Sequence, residues 1–64
     1  MPFISVKVLE GKTKEQKRKF VKRMTKVVME TFEVDEDRVF IFIEDIKKDN
    51  YGKKGKLLSD FDLN

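Results

Sequence analysis

Arg38-Val39-Phe40-Ile41-Phe42-Ile43 sets five apolar residues in succession, Val39 to Ile43. A strand with one face in water alternates apolar and polar residues. This one does not, so both of its faces need cover, as in the buried strand of a parallel sheet. A parallel partner requires a crossover, usually helical. The chain has one upstream: Phe20, Val21, Met24, Val27, Val28 and Phe32 recur at spacings of three and four and share one helix face. Thr13-Lys14-Glu15-Gln16 has the form of a capping box, so the spacing predicts a helix from Lys14 to Phe32. Before it, Ile4, Val6 and Val8 alternate with Ser5 and Lys7 as a strand does, until Gly11 breaks the pattern. Strand, helix, strand is a βαβ unit with a right-handed crossover. A single helix covers only one sheet face. The other face carries apolar side chains that nothing left in the chain can bury, and contact with another subunit is expected there.

Composition narrows the chemistry. Sixty-four residues make one domain, 1–64, and a chain of this size buries only about 60% of its unfolded surface. Cysteine and histidine are absent, which removes a disulfide, a structural zinc site and any histidine base. Oligomerisation is the remaining way to stabilise so small a fold. No secretory pattern opens the sequence and no apolar run approaches the ~20 residues that span a bilayer, so a cytoplasmic protein is expected. The formal charge is +3, with 15 Lys and Arg against 12 Asp and Glu. Lys14, Lys17, Arg18, Lys22, Arg23 and Lys26 give the helix a basic outer surface. That surface raises the alternative of a small dimer gripping nucleic-acid phosphates. Glu15 and Glu30 interrupt it and no aromatic residue is interleaved for base stacking, which puts nucleic acid second to simple solvation. Asp35-Glu36-Asp37 and Glu44-Asp45 read as a solvated rim rather than as metal ligands or an acid–base couple. Gly52 and Gly55, among lysines and turn formers, predict a small hairpin. A phosphate-cradling loop would follow a strand and open a helix, and this pair does neither.

Met1-Pro2-Phe3 carries the candidate chemistry. Inside a chain proline has no basic nitrogen, but once Met1 is removed the Pro2 nitrogen is a secondary amine with a lone pair. At the head of a strand such a base is held rigidly.

Taken together, the residues resemble the 4-oxalocrotonate tautomerase family. The likeness is carried by Pro2 after the initiator methionine, Leu9-Glu10-Gly11 followed by a basic residue, and Glu15-Gln16-Lys17 at the helix head. The apolar second strand ending in Glu44, and Tyr51-Gly52 with Gly55, complete it. The resemblance implies a tautomerase/MIF-like α+β fold, a βαβ protomer with a short C-terminal hairpin. It also implies dimers with four-stranded sheets, three of which form a homohexamer. The implied activity is enol–keto tautomerisation of a small-molecule enol or dienol acid with no metal or cofactor, Pro2 acting as general base and then general acid. Apolar surroundings such as Phe3, Ile4 and Phe40 would lower the basicity of its nitrogen toward working pH. Lys12 stands where the family has a carboxylate-binding arginine from a neighbouring subunit, keeping the charge without the bidentate fork. Tyr51 stands at a phenylalanine position and adds a hydroxyl. Phe40 occupies the place of the family's second substrate-binding arginine, and Arg38, two residues earlier on the same expected strand face, is roughly 6.6 Å away by strand rise. An aromatic wall at Phe40 suits a mono-acid enol with an apolar tail, such as an arylpyruvate enol. Dehalogenase- or hydratase-type chemistry is the alternative on the same scaffold.

Overall fold

The computed structural model describes residues 1–61. Strand β1 (Phe3–Leu9) leads to helix α1 (Lys14–Phe32), and β2 (Phe40–Ile46) returns beside β1. The two strands are parallel and in register from Phe3 opposite Phe40 to Leu9 opposite Ile46. The helix occupies the predicted residues, and its start is the predicted box. The Thr13 hydroxyl accepts from the Gln16 N–H, and the Gln16 side chain accepts from the Thr13 N–H. It ends at Glu33, in the left-handed region at φ 54°, whose N–H bonds the Met29 carbonyl.

The second strand departs from the sequence reading at both ends. It begins at Phe40, because Glu36–Arg38 forms a 3-10 turn. The Arg38 N–H bonds the Asp35 carbonyl at 3.0 Å and the Val39 N–H bonds the Glu36 carbonyl at 3.3 Å. Those donors are used in the turn and cannot join the ladder, so Arg38 does not share a strand face with Phe40. At the other end the strand runs through Glu44 and Asp45 to Ile46.

Beyond β2, Gly52–Lys53 (β3) and Lys56–Leu57 (β4) form the predicted hairpin. Its two-residue loop is Lys54-Gly55, with φ of 55° and 78°. Positive φ at both loop positions is the backbone of a type I′ turn, whose twist matches that of the strands. Leu58 is buried within this arm, where its N–H bonds the Tyr51 carbonyl at 2.7 Å.

Alternation decides what the helix covers. Ile4, Val6 and Val8 of β1 and Ile41 and Ile43 of β2 lie half-buried on the helix side. Phe3 and Phe42 point the other way and are 63% and 55% exposed. Among the described residues only Val28 and Leu58 are buried apolar side chains. The apolar helix face is also wider than two strands can cover, which leaves Val27 and Phe32 exposed. The protomer exposes 5642 Å², against about 4,300 Å² for a folded monomer of this mass. Its radius of gyration is 15.2 Å, against about 11 Å for a compact chain of this length. The protomer is thus more extended and more exposed than a compact monomer of its size.

Candidate active site

Parallel strands start at the same end of a sheet, and that fact sorts the candidate residues into two groups. Pro2 stands half-buried just before β1, and its carbonyl accepts the Phe40 N–H at 3.1 Å. This bond extends the ladder by one position and fixes the backbone at Pro2. Next to it the rings of Phe3 and Phe40 stack, with centroids 5.2 Å apart and planes 18° apart. Pro2 and Phe40 are thus brought together with an aromatic surface beside them. Arg38 lies at this end too, exposed in its turn.

Lys12 and Tyr51 lie at the other end. Lys12 follows the turn after β1 and is exposed. Tyr51 lies five residues past the end of β2, where the Glu10 N–H ties β1 to the Ile46 carbonyl at 2.9 Å. It is 40% exposed. Between Phe3 and Leu9 the strand rises about 20 Å, so one protomer cannot place its own Lys12 beside its own Pro2.

The Lys12 end holds a cavity of about 180 Å³ between the first turns of α1 and the sheet. Val6, Val8, Phe20 and Ile43 form its walls, with Lys12 and Lys17 at its polar side. One of these groups corrects the sequence reading. Lys17 is half-buried rather than part of the outer basic surface, and its Nζ donates to Asp45 Oδ2 at 2.7 Å. Asp45, 47% exposed, therefore stays at the solvated rim but is tied there by an ion pair. It lies on the helix side because it follows Ile43 by two and sits opposite Val8. The same parity, read along a strand extended to Ile46, was the signal for it in the sequence. Among the described residues no three acidic side chains gather as a metal site, and no helix is long and apolar enough to cross a membrane.

Residues 2–60 match the family described as Tautomerase enzyme. The chain is 47% identical over 62 residues to the 2-hydroxymuconate tautomerase of Bacillus subtilis (strain 168), covering 97% of this chain and 100% of the relative. Its fold superimposes on the crystal structure of YwhB, a homologue of 4-oxalocrotonate tautomerase, with a TM-score of 0.90 at 46% identity, covering 95% of this chain and 100% of that one. At 19% identity, the fold is also shared with a heterohexamer 4-oxalocrotonate tautomerase from Chloroflexus aurantiacus J-10-fl, with a TM-score of 0.87 over 97% of this chain and 100% of that one.

Proposed function

We propose a mechanism on one premise: this chain belongs to the tautomerase family and is an isomerase of the 4-oxalocrotonate tautomerase type. The substrate is an enol or dienol carboxylic acid. The nitrogen of Pro2, freed by removal of Met1, takes the proton of the substrate hydroxyl. The O–H electron pair becomes the carbonyl π bond, the carbon–carbon double bond shifts, and the prolyl ammonium returns its proton to carbon to give the keto acid. No other reactant is consumed. The stacked Phe3 and Phe40 rings provide apolar surroundings that disfavour the charged ammonium and keep the amine a usable base at neutral pH.

The carboxylate is held by Lys12 of a neighbouring protomer. A two-fold axis that pairs β1 antiparallel with its own copy would build a four-stranded sheet and set each Pro2 against the other protomer's Lys12. The observation that carries this reading is the placement of Pro2 and Lys12 at opposite ends of one seven-residue strand with a free edge. In the same pairing Tyr51 turns its hydroxyl toward a substrate oxygen and Phe40 walls the site. Arg38 stays on the solvent rim. The open faces around Phe3 and Phe42, with the extended arms, then join three dimers as a homohexamer in the cytoplasm. The surface in excess of a monomer's supports that assembly, as does the heterohexameric relative.

The test is ketonisation of an enol acid by Met1-free protein beside its Pro2→Ala variant. A loss of 10²- to 10⁴-fold in kcat is expected for removal of a positioned general base. Equal rates would sink the mechanism and leave the fold intact.

A further inference from the structure

We infer that the outer face of α1 is a second functional surface, which docks the phosphate backbone of double-stranded DNA. It lies apart from the proposed active site and does not depend on it.

Seven of the chain's 15 Lys and Arg, and only two of its 12 acids, lie on α1. The helix is basic in a chain whose remainder carries more acids than bases. With Lys17 drawn to Asp45, six exposed cations remain: Lys14, Arg18, Lys19, Lys22, Arg23 and Lys26. Lys14, Arg18, Lys22 and Lys26 are spaced by four and form one row, rising about 6 Å per step and about 18 Å in all. Lys19 and Arg23 lie beside it, three residues from Lys22 and Lys26. The two acids leave most of this face open, because Glu15 is taken up by Arg18 and Glu30 lies one turn beyond Lys26.

This arrangement works against the helix that carries it. Like charges four residues apart repel. Lys14 and Lys17 stand in the first turn, where the helix dipole disfavours a cation, and the last turn, where it favours one, has none. Solubility alone is met by charges of both signs interspersed. Among the described residues, none of the other five exposed cations is held in an ion pair. A polyanion is the partner whose charge complements such a row.

The surroundings of the row select which polyanion. Single strands are held by aromatic side chains set among the cations, and the aromatic residue of this stretch, Phe20, is half-buried against the cavity on the sheet side. An anionic membrane is planar and would lie along the whole helix, where it meets the exposed acids at the far end, Glu30, Glu33, Asp35, Glu36 and Asp37. A duplex crossing the first half of the helix meets the cations and not those acids. The major groove of B-form DNA is about 12 Å wide, so a row of about 18 Å set across it reaches the phosphates on both banks. The major groove of an RNA duplex is deep and narrow, and the same row overshoots its banks.

The test is fluorescence anisotropy of a labelled DNA duplex of random sequence, titrated with the protein at several salt concentrations. Contact with about four phosphates gives a slope of log affinity on log salt near −3.6, on the order of a 100-fold loss from about 50 to 200 mM. Lys22→Gln with Lys26→Gln is expected to make the slope shallower by about 1.8 and to weaken binding at the lowest salt by about tenfold or more. Lys47→Gln with Lys48→Gln removes the same charge from the turn after β2 and should leave the slope as it was. Equal losses in the two pairs would reduce the surface to net charge and overturn the inference. Tighter binding to an RNA duplex, to a single strand or to phosphatidylglycerol vesicles would overturn it too. The helix pair should melt at or above the wild-type temperature, because its removal relieves repulsion; a lower melting temperature would make the row a feature of the fold and sink the docking role. Pro2→Ala should bind DNA as the wild type does, so failure of the mechanism and failure of this surface are read separately.

Discussion

The two ends of β1 are built for different tasks. At the Pro2 end the backbone is tied into the sheet by the Phe40 N–H and lies beside the Phe3–Phe40 stack, and among the described residues the nearby cation, Arg38, is exposed in a turn. At the other end Lys12 and Lys17 flank an apolar cavity. One end can move a proton and the other can hold an anion. The proposed mechanism needs both, and the division between the two ends of one strand is why that proposal builds its site from two protomers.

The largest expected effect breaks the comparison at the Pro2 end. Beyond the loss in Pro2→Ala itself, an equal mixture of Pro2→Ala and Lys12→Ala protomers, unfolded and refolded together and assayed at substrate far below the wild-type KM, should recover more activity than either has alone. Half of randomly re-paired dimers are mixed, and one of the two sites in each is intact, so about a quarter of the wild-type rate is expected. A site contained within one protomer would recover nothing.

Next in size is Lys12→Ala. A hydrogen bond to a charged group contributes about 1.5–3 kcal/mol, so KM should rise about 10- to 100-fold, with a smaller change in kcat than Pro2→Ala produces. Lys12→Arg sharpens the contrast, because a bidentate fork orients a carboxylate better than a point charge. Its KM should fall a few-fold, measured by steady-state ketonisation. A rise would show that Lys12 does not meet the carboxylate.

Thr13→Ala touches the Lys12 end through its scaffold. The Thr13 hydroxyl caps the helix turn that carries Gln16 and Lys17, and loss of such a cap costs about 1 kcal/mol. Hydrogen exchange should quicken in the first turn of α1 before it does along β1 at Phe3 and Ile4. A uniform change would mean that the two ends open together.

Period and capping made most of this fold legible in the sequence. Thr13 to Gln16 located the start of the helix, alternation located β1, and the apolar run Val39 to Ile43 required a parallel neighbour and left one sheet face without cover, which the structure identifies as the face of Phe3 and Phe42. The limits of β2 were not legible, because acidic residues can end a strand or continue it. A backbone donor bond to Asp35 removed Arg38 from the strand, and pairing with β1 kept Glu44 and Asp45 in it. Residue type and resemblance singled out Pro2, Lys12, Phe40 and Tyr51 as candidates, but their division between two ends is a consequence of parallel pairing. Lys17 and Asp45 were missed because they are 28 residues apart and each looks like ordinary surface charge until the helix is laid on the sheet.

The smallest effect concerns the arm, which extends from the Lys12 end. Lys54 holds a positive φ of 55° in the two-residue loop, a region that most side chains enter at a cost and that asparagine tolerates better. Lys54→Asn gives the Asn-Gly pair that a type I′ turn prefers and is expected to stabilise the hairpin by about 0.5 kcal/mol, a little over a twofold change in its opening equilibrium. The amides of Lys53 and Lys56 should then exchange about twofold more slowly, while those of Ile4 and Ile41 at the Pro2 end stay unchanged. Because the change removes one exposed positive charge, Lys54→Gln serves as the control for charge alone and should leave all four amides as they were. If the Pro2-end amides gain the same protection as the hairpin, the arm and the body open as one unit, and the independence of the two ends in stability is lost even where their chemical division holds.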